Sequence, residues 1–253
     1  MQFGKLIQTI KLKAFSIEEL SIAKEERILI VAPHPDDESI GCGGILLKYG
    51  PQCDVVMMTD GSLGDYEETK EGSENICQIR KEELEKAMDY VRVHKLIYAG
   101  GVDGELWRFH PKGLKLKLKK YNHIFIPGES ELHPDHLATY RLMRKKIRRQ
   151  HAGANIYGYE VWAGQTSPPT HYLNISSHIE DKKHLIGYYT SQLKYTNYVT
   201  RAVALNHYRG MTFGVDYAEC YHRYGWSTSK RNLLGGIWKF SERVAKGILA
   251  WVK

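Results

Sequence analysis

The stretch ERILIVAPHPDDE, residues 26–38, decides the fold. Ile28 to Val31 form a continuous apolar run, not an alternating one, and the run ends in a proline–histidine turn. A parallel strand covered by helices on both faces reads this way, because neither face meets water. Four further stretches follow the same pattern: CDVVMMTDG (53–61), KLIYAGG (95–101), HIFIPGE (123–129) and ANIYGYEVW (154–162).

Helix-like segments lie between these strands. GGILLKYG (43–50) closes at a glycine, and LATYRLMRKKIRRQ (137–150) has a basic face. ENICQIRKEELEKAMDYV (74–91) carries Ile76, Ile79, Leu84, Met88 and Val91 at amphipathic spacing. A further helix is expected around DKKHLIGYYTSQL (181–193), and the lysine-rich KGLKLKLKKY (112–121) reads either as a helix or as an exposed alternating segment. Strands alternating with helices specify an α/β fold: a Rossmann-like, mostly parallel sheet flanked by helices, with an elaborated C-terminal part. Three regions are expected: an amphipathic leader (1–25), the main domain (26–225) and a C-terminal amphipathic helix (226–253).

The chain has 253 residues, a hydrophobic fraction of 42% and a net charge of +7. That is enough apolar material for a real core. The positive balance favours anionic partners without choosing among them. No nucleic-acid-binding motif is recognisable, so solvated helix faces account for the basic residues and no nucleic-acid partner is expected. Cys42, Cys53, Cys77 and Cys220 form no CxxC pair and read as reduced core residues. With no signal peptide or transmembrane run, the protein reads as cytoplasmic.

In open α/β sheets, ligands sit at the carboxyl ends of the strands. Two polar turns occupy that position here, PHPDDE (33–38) and HPDH (133–136). Histidine and carboxylate are zinc ligands, and a catalytic site needs three of them plus an open position for water. His34 and Asp37 lie three apart. Asp36 and Asp37 are adjacent, so their side chains should diverge, one to a metal and one to a water as general base. Of His133 and His136, one completes the ligand set and the other stands over a substrate carbonyl; Asp135 between them can orient an imidazole. Pro-Asp is also a common turn former, so either turn alone would mean little. The pair, each directly after a strand, points to a metal-dependent hydrolase. The GCGG at 41–44 lacks phosphate-loop spacing and reads as small residues that let a helix pack closely.

These motifs together resemble the PIG-L/LmbE-like family of zinc-dependent N-deacetylases. The resemblance rests on Ala32-Pro33-His34-Pro35-Asp36-Asp37-Glu38, Thr59-Asp60-Gly61, Arg80-Lys81-Glu82-Glu83, Asp103-Gly104-Glu105-Leu106, His133-Pro134-Asp135-His136, Tyr159-Glu160-Val161-Trp162 and Ser191-Gln192. It implies that His34, Asp37 and His136 bind Zn²⁺, although two nitrogens and a carboxylate also suit Fe²⁺ or Co²⁺. It implies that Asp36 is the general base, that His133 stabilises the oxyanion with Asp135 tuning it, and that Arg80 and Asp103 contact the sugar. Without the resemblance, Arg80 could simply pair with Glu82 or Glu83 on the helix surface. The implied reaction removes acetyl from an N-acetylglucosamine unit carried by a lipid, thiol precursor, antibiotic or glycan, and a lipid- or nucleotide-linked amino sugar is among the expected partners. The competing readings are hydrolysis of another amide or ester, and a catalytically silent sugar-binding protein.

The tail GGIWKFSERVAKGILAWVK (235–253) places Ile237, Phe240, Val244, Ile248 and Trp251 on one stripe, with Lys239, Arg243 and Lys246 off it. Such a helix docks on its own domain, on a second copy in a homo-oligomer, or peripherally on a membrane surface.

Overall fold

The computed structural model describes residues 17–64, 70–110, 113–150, 152–164 and 166–226, and of residues 70–74 only the backbone. The tail at 235–253 and most of the leader at 1–25 lie outside the described residues. Among those described, no helix is long and apolar enough to cross a membrane.

Eight strands form one sheet: β1 (Glu18–Glu19), β2 (Ile28–Ala32), β3 (Cys53–Thr59), β4 (Lys95–Gly101), β5 (His123–Pro127), β6 (Asn155–Tyr159), β7 (His171–Asn174) and β8 (Ala218–Tyr224). Their spatial order is β1-β7-β8-β6-β5-β2-β3-β4. From β4 to β6 every pairing is parallel. β8 then runs antiparallel to both β6 and β7. The helices are α1 (Asp37–Tyr49), α2 (Lys70–Tyr90), α3 (Pro134–Gln150), α4 (Ile179–Gly187), α5 (Thr190–Leu193) and α6 (Tyr198–Phe213).

All five residues of β2 are buried, and they alternate between two cores. Ile28, Ile30 and Ala32 pack on one face with Ile45, Leu46, Leu84, Met88 and Leu185 from α1, α2 and α4. Leu29 and Val31 pack on the other with Met143 and Ile147 of α3. Dual burial is why the strand reads as an unbroken apolar run.

Helix α1 starts at Asp37 and is kinked at Cys42, whose φ −133° and ψ 21° are not helical; Gly41 lies before the kink, and the stretch expected from Gly43, with Gly44, follows it. Close contact explains the glycines. A Cβ on Gly41 would lie 2.3 Å from the Tyr159 ring, and one on Gly44 would lie 2.4 Å from Ile175. The lysine-rich segment is the alternating one: Leu114, Leu116 and Leu118 are buried while Lys115, Lys117 and Lys119 are exposed. The helix expected over 181–193 is two helices, α4 and α5. Helix α6 and strands β1, β7 and β8 were not expected. Cys42, Cys53, Cys77 and Cys220 are free, and all but Cys77 are buried.

Candidate metal centre and active site

Strand β2 lies between β3 and β5, and the chain leaves it towards β3 while β5 begins on its other side. Their carboxyl ends therefore flank a crevice at a topological switch point. The turn after β2 and the start of α1 bring His34, Asp36 and Asp37 to it, and the residue before α3 and its first turn bring His133, Asp135 and His136. Asp103, after β4, and Arg80, from α2, complete a cleft lined also by Leu63, Gly64, Gly104, Trp162, Gln192 and Tyr198.

At its floor, Asp37 Oδ2 lies 3.1 Å from His34 Nδ1 and 3.0 Å from His136 Nε2. Ligands about 2 Å from a common ion have similar spacings. The other nitrogen of each imidazole faces a carboxylate. His34 Nε2 is 3.1 Å from Asp103 Oδ1 and 3.3 Å from Asp135 Oδ2, and His136 Nδ1 is 3.3 Å from Glu131 Oε2. Metal-binding histidines characteristically have such outer partners. Both ring nitrogens of His136 are buried without a hydrogen bond of acceptable angle, although carboxylates stand at ion-pair distance. A buried nitrogen in that condition suits a metal. Among the described residues, the groups that bring three potential ligand atoms within 4.8 Å of one another are His34–His133–His136 and His34–Asp103–Asp135; Asp37 is in neither and meets His34 and His136 pairwise.

The charges are strongly coupled. Burial alone would lower His34 and His136, but the facing carboxylates prevail: His34 is raised well above its usual value and His136 to about 9. Burial likewise would raise Asp37, yet His136 and His34 hold it far below the usual carboxylate range. Asp36 diverges from Asp37, as adjacency implies, towards Arg80 Nη2 at 3.4 Å. Burial pushes Asp36 up to about 8, with Asp37 and Glu38 adding to the rise and Arg80 and His34 opposing it.

His133 precedes α3, whose first residue is Pro134, a favoured residue there because no intrahelical partner awaits its missing N–H. Its Nδ1 accepts the Asp135 backbone N–H at 3.2 Å, so the neutral ring carries its proton on Nε2. Burial, then the His34 and His136 rings, lower its pKa. The Asp135 carboxylate is directed elsewhere. It accepts from Gly104 N at 2.6 Å and Leu106 N at 3.2 Å and faces His34. Asp135 thus orients His34 and the segment after β4, and reaches His133 through its backbone N–H.

Arg80 does not form the surface charge pair considered above. It is buried and donates to Pro35 O at 2.9 Å and Gly61 O at 3.2 Å. Glu83 instead accepts from Ser191 N, Ser191 Oγ and Thr190 Oγ1, anchoring α5. Asp103 is occupied by His34 and by Leu63 N at 3.2 Å, and its carboxyl is lowered to about 2, against burial, mainly by His34.

Two buried carboxylates escaped the sequence reading. Glu131 accepts from Val161 N at 2.7 Å and Trp162 N at 3.1 Å while facing His136. Glu38 accepts from Asp36 N at 3.2 Å and from the Tyr189 hydroxyl. Glu131, just before HPDH, was open to suspicion as a carboxylate beside a histidine ligand; nothing local marks Tyr189.

Fold and site together define a doubly wound α/β protein with a histidine–carboxylate centre at its switch point. Residues 29–147 match the model of the PIG-L family, described as GlcNAc-PI de-N-acetylase. Among curated proteins the chain is 32% identical over 128 residues to a probable N-acetyl-alpha-D-glucosaminyl L-malate deacetylase 2 of Bacillus anthracis, covering 46% of this chain and 56% of the relative. A protein of the same description from Bacillus cereus is 27% identical over 197 residues, 66% of this chain and 84% of its own. The chain thus spans little more than half of the first relative. In structure it resembles N,N'-diacetylchitobiose deacetylase from Pyrococcus horikoshii, with TM-score 0.69, 23% identity, and 88% and 92% of the two chains covered. It also resembles a conserved protein from Thermus thermophilus, with TM-score 0.62, 25% identity, and 81% and 100% covered.

Proposed function

We propose that the protein is a zinc-dependent hydrolase that removes the acetyl group from an N-acetylglucosamine-type amino sugar in glycan, glycolipid or thiol-cofactor biosynthesis. The observation that carries this reading is the Asp37 oxygen shared between His34 and His136, with Asp36 and His133 at the same cleft. The family and the named activities of the relatives supply the substrate class.

His34, Asp37 and His136 hold the ion, and Asp103, Asp135 and Glu131 fix the two imidazoles from behind. Bound zinc supplies a Lewis acid and lowers the pKa of water towards roughly 7. Asp36 takes a proton from the attacking water, and the Arg80 guanidinium favours its ionised form. The water oxygen bonds to the acetyl carbon. His133 donates its Nε2–H to the carbonyl oxygen as negative charge develops there. The C–N bond then breaks, the proton held by Asp36 passes to the departing nitrogen, and acetate and a free amine remain. Arg80 and Asp103 line the cleft where the sugar sits.

Incubating zinc-loaded protein with a panel of N-acetylglucosamine conjugates and measuring released amine and acetate tests the reading. Turnover of at least one conjugate is expected, with a loss of about 10²- to 10⁴-fold in Asp36→Ala. No turnover across the panel overturns the deacetylase assignment, and equal turnover by the variant removes Asp36 as the base.

A further inference from the structure

Helix α3 carries His136 into the metal centre from its first turn, and its later turns carry cations outward. Arg141, Arg144, Lys145, Arg148 and Arg149 recur three or four residues apart, are exposed, and line a shallow groove made of these five side chains. On the opposite side of the helix Met143 and Ile147 are buried in the core. Beside α3, Leu114, Leu116 and Leu118 enter the same core, so Lys115 and Lys117 between them point outward with the cations of the helix. Gln150 Nε2 donates to Leu116 O at 2.7 Å and ties the two segments together. Neither 106–120 nor 136–153 contains an aspartate or a glutamate.

Like charges three and four apart on a helix repel. Solvation accounts for exposed cations, but not for the aromatic side chains among these. Trp107 is 68% exposed and shares a groove with Arg141 and Lys145. Arg108 lies 4.5 Å from its ring centre, and Arg144 lies 6.0 Å from that of Trp226. Indoles favour the headgroup level of a bilayer, and lysine and arginine are drawn to anionic headgroups.

We propose that the outer face of α3, with Trp107 beside it, docks the protein on an anionic lipid surface. Mobile headgroups rearrange to meet long, unfixed cationic side chains, so no pocket is needed. The segment 227–253 is a poor occupant of this face, because Lys230, Arg231, Lys239, Arg243, Lys246 and Lys253 outweigh Glu242 and give it the same sign. A nucleic acid would meet the charge too, but the chain carries no recognisable motif for one. The inference stands apart from the deacetylase reading, since neither Trp107 nor any of these cations lines the metal cleft.

Sedimentation of the full chain with vesicles tests it. Binding is expected to phosphatidylcholine vesicles that contain phosphatidylglycerol and not to phosphatidylcholine alone, and it should weaken as sodium chloride is added. Arg144→Gln with Arg148→Gln lowers the affinity about tenfold or more. Arg144→Lys with Arg148→Lys retains it, because a fluid surface reads charge and not guanidinium geometry. Trp107→Ala weakens binding severalfold at every salt concentration, since burial of an indole is not screened. Melting temperatures of all variants are expected to match, as these side chains are exposed. No binding to the anionic vesicles overturns the proposal. So does unchanged binding in the glutamine pair, which would assign the affinity to the tail, or in Trp107→Ala. A lysine pair as weak as the glutamine pair would mean a partner of fixed geometry, and tighter binding to a DNA duplex than to vesicles would mean a nucleic acid; either result also overturns it.

Discussion

Asp36 has φ 132° and ψ −32°, a backbone conformation that side chains with a Cβ rarely adopt. Such strain costs of order 1–3 kcal/mol and persists only when the surroundings impose it. Here Glu38 accepts the Asp36 N–H and is itself fixed by Tyr189 and Ser39. Glycine lacks the steric penalty. Asp36→Gly should therefore melt higher than Asp36→Ala by the equivalent of about 1 kcal/mol, both variants lacking the carboxylate. Matched calorimetric scans check this, and equal melting temperatures would refute strain at Asp36. Removing the anchor acts on the chemistry. Glu38→Ala should lower kcat roughly 10- to 100-fold with little change in KM, because a small displacement of a reacting group is costly. Steady-state kinetics beside zinc analysis reads this, and a loss confined to metal content would argue against positioning. The residues of the two turns were legible because each motif is short and follows a strand. The support of Asp36 by Tyr189 was not, since 153 positions of chain separate them and no local pattern announces the contact.

Helix α1 shows how packing overrides local preference. Three glycines weaken a helix by about 1 kcal/mol each relative to alanine, and the sequence reading begins the helix only at Gly43. The fold adds a first turn from Asp37, separated from the rest by the kink at Cys42, and packs Gly41 against Tyr159 and Gly44 against Ile175. Propensity alone says that Gly41→Ala stabilises. The 2.3 Å approach of its Cβ to the Tyr159 ring says the opposite, and Tyr159 is pinned through its hydroxyl to Val31 O at 2.9 Å. A net destabilisation of roughly 1–3 kcal/mol is expected, read as a lower denaturant midpoint; an unchanged or higher midpoint would show that α1 can shift at little cost. The parallel strands β2, β3, β5 and β6 were legible because double burial leaves largely apolar runs, whereas the edge strand β4 is half-exposed and was legible from its short Leu96–Ala99 run. Strands β7 and β8 were not. HYLN and AECYHRY mix polar and aromatic residues, and their pairing is decided by partners far along the chain. Helix α6 was missed for a related reason: only Tyr198, Ala202, Asn206 and Gly210 are buried in it, and two of these are not apolar.

Across the whole molecule, the proposed metal assignment sets proton binding and metal binding against each other. In the metal-free fold, facing carboxylates raise His136 from its ordinary 6.5 to about 9, and His34 moves the same way. Burial raises Asp36 from 3.8 to about 8. Each group makes the folded chain bind more protons than the unfolded chain, so stability falls as pH rises through these intervals. For His136 the contribution is complete below about 6.5 and is lost as pH passes about 9. Zinc requires neutral imidazoles and displaces their protons, so its affinity rises over the same interval. The melting temperature of metal-free protein should therefore decline from about pH 6.5 to about 9, while the gap to zinc-loaded protein at fixed free zinc widens. With free zinc at one hundred times its dissociation constant, the added stability is about 2.7 kcal/mol. Paired thermal scans across that range measure both trends, and calorimetry in buffers of different ionisation enthalpy counts the protons released. A gap independent of pH, with no protons released, would mean that zinc does not bind through His34 and His136. Dependence on pH that persists after both histidines are replaced would place the effect elsewhere in the fold. The linkage follows from the switch-point geometry: two strand ends far apart in sequence deliver one imidazole each to a single carboxylate, and neither turn alone can reproduce it.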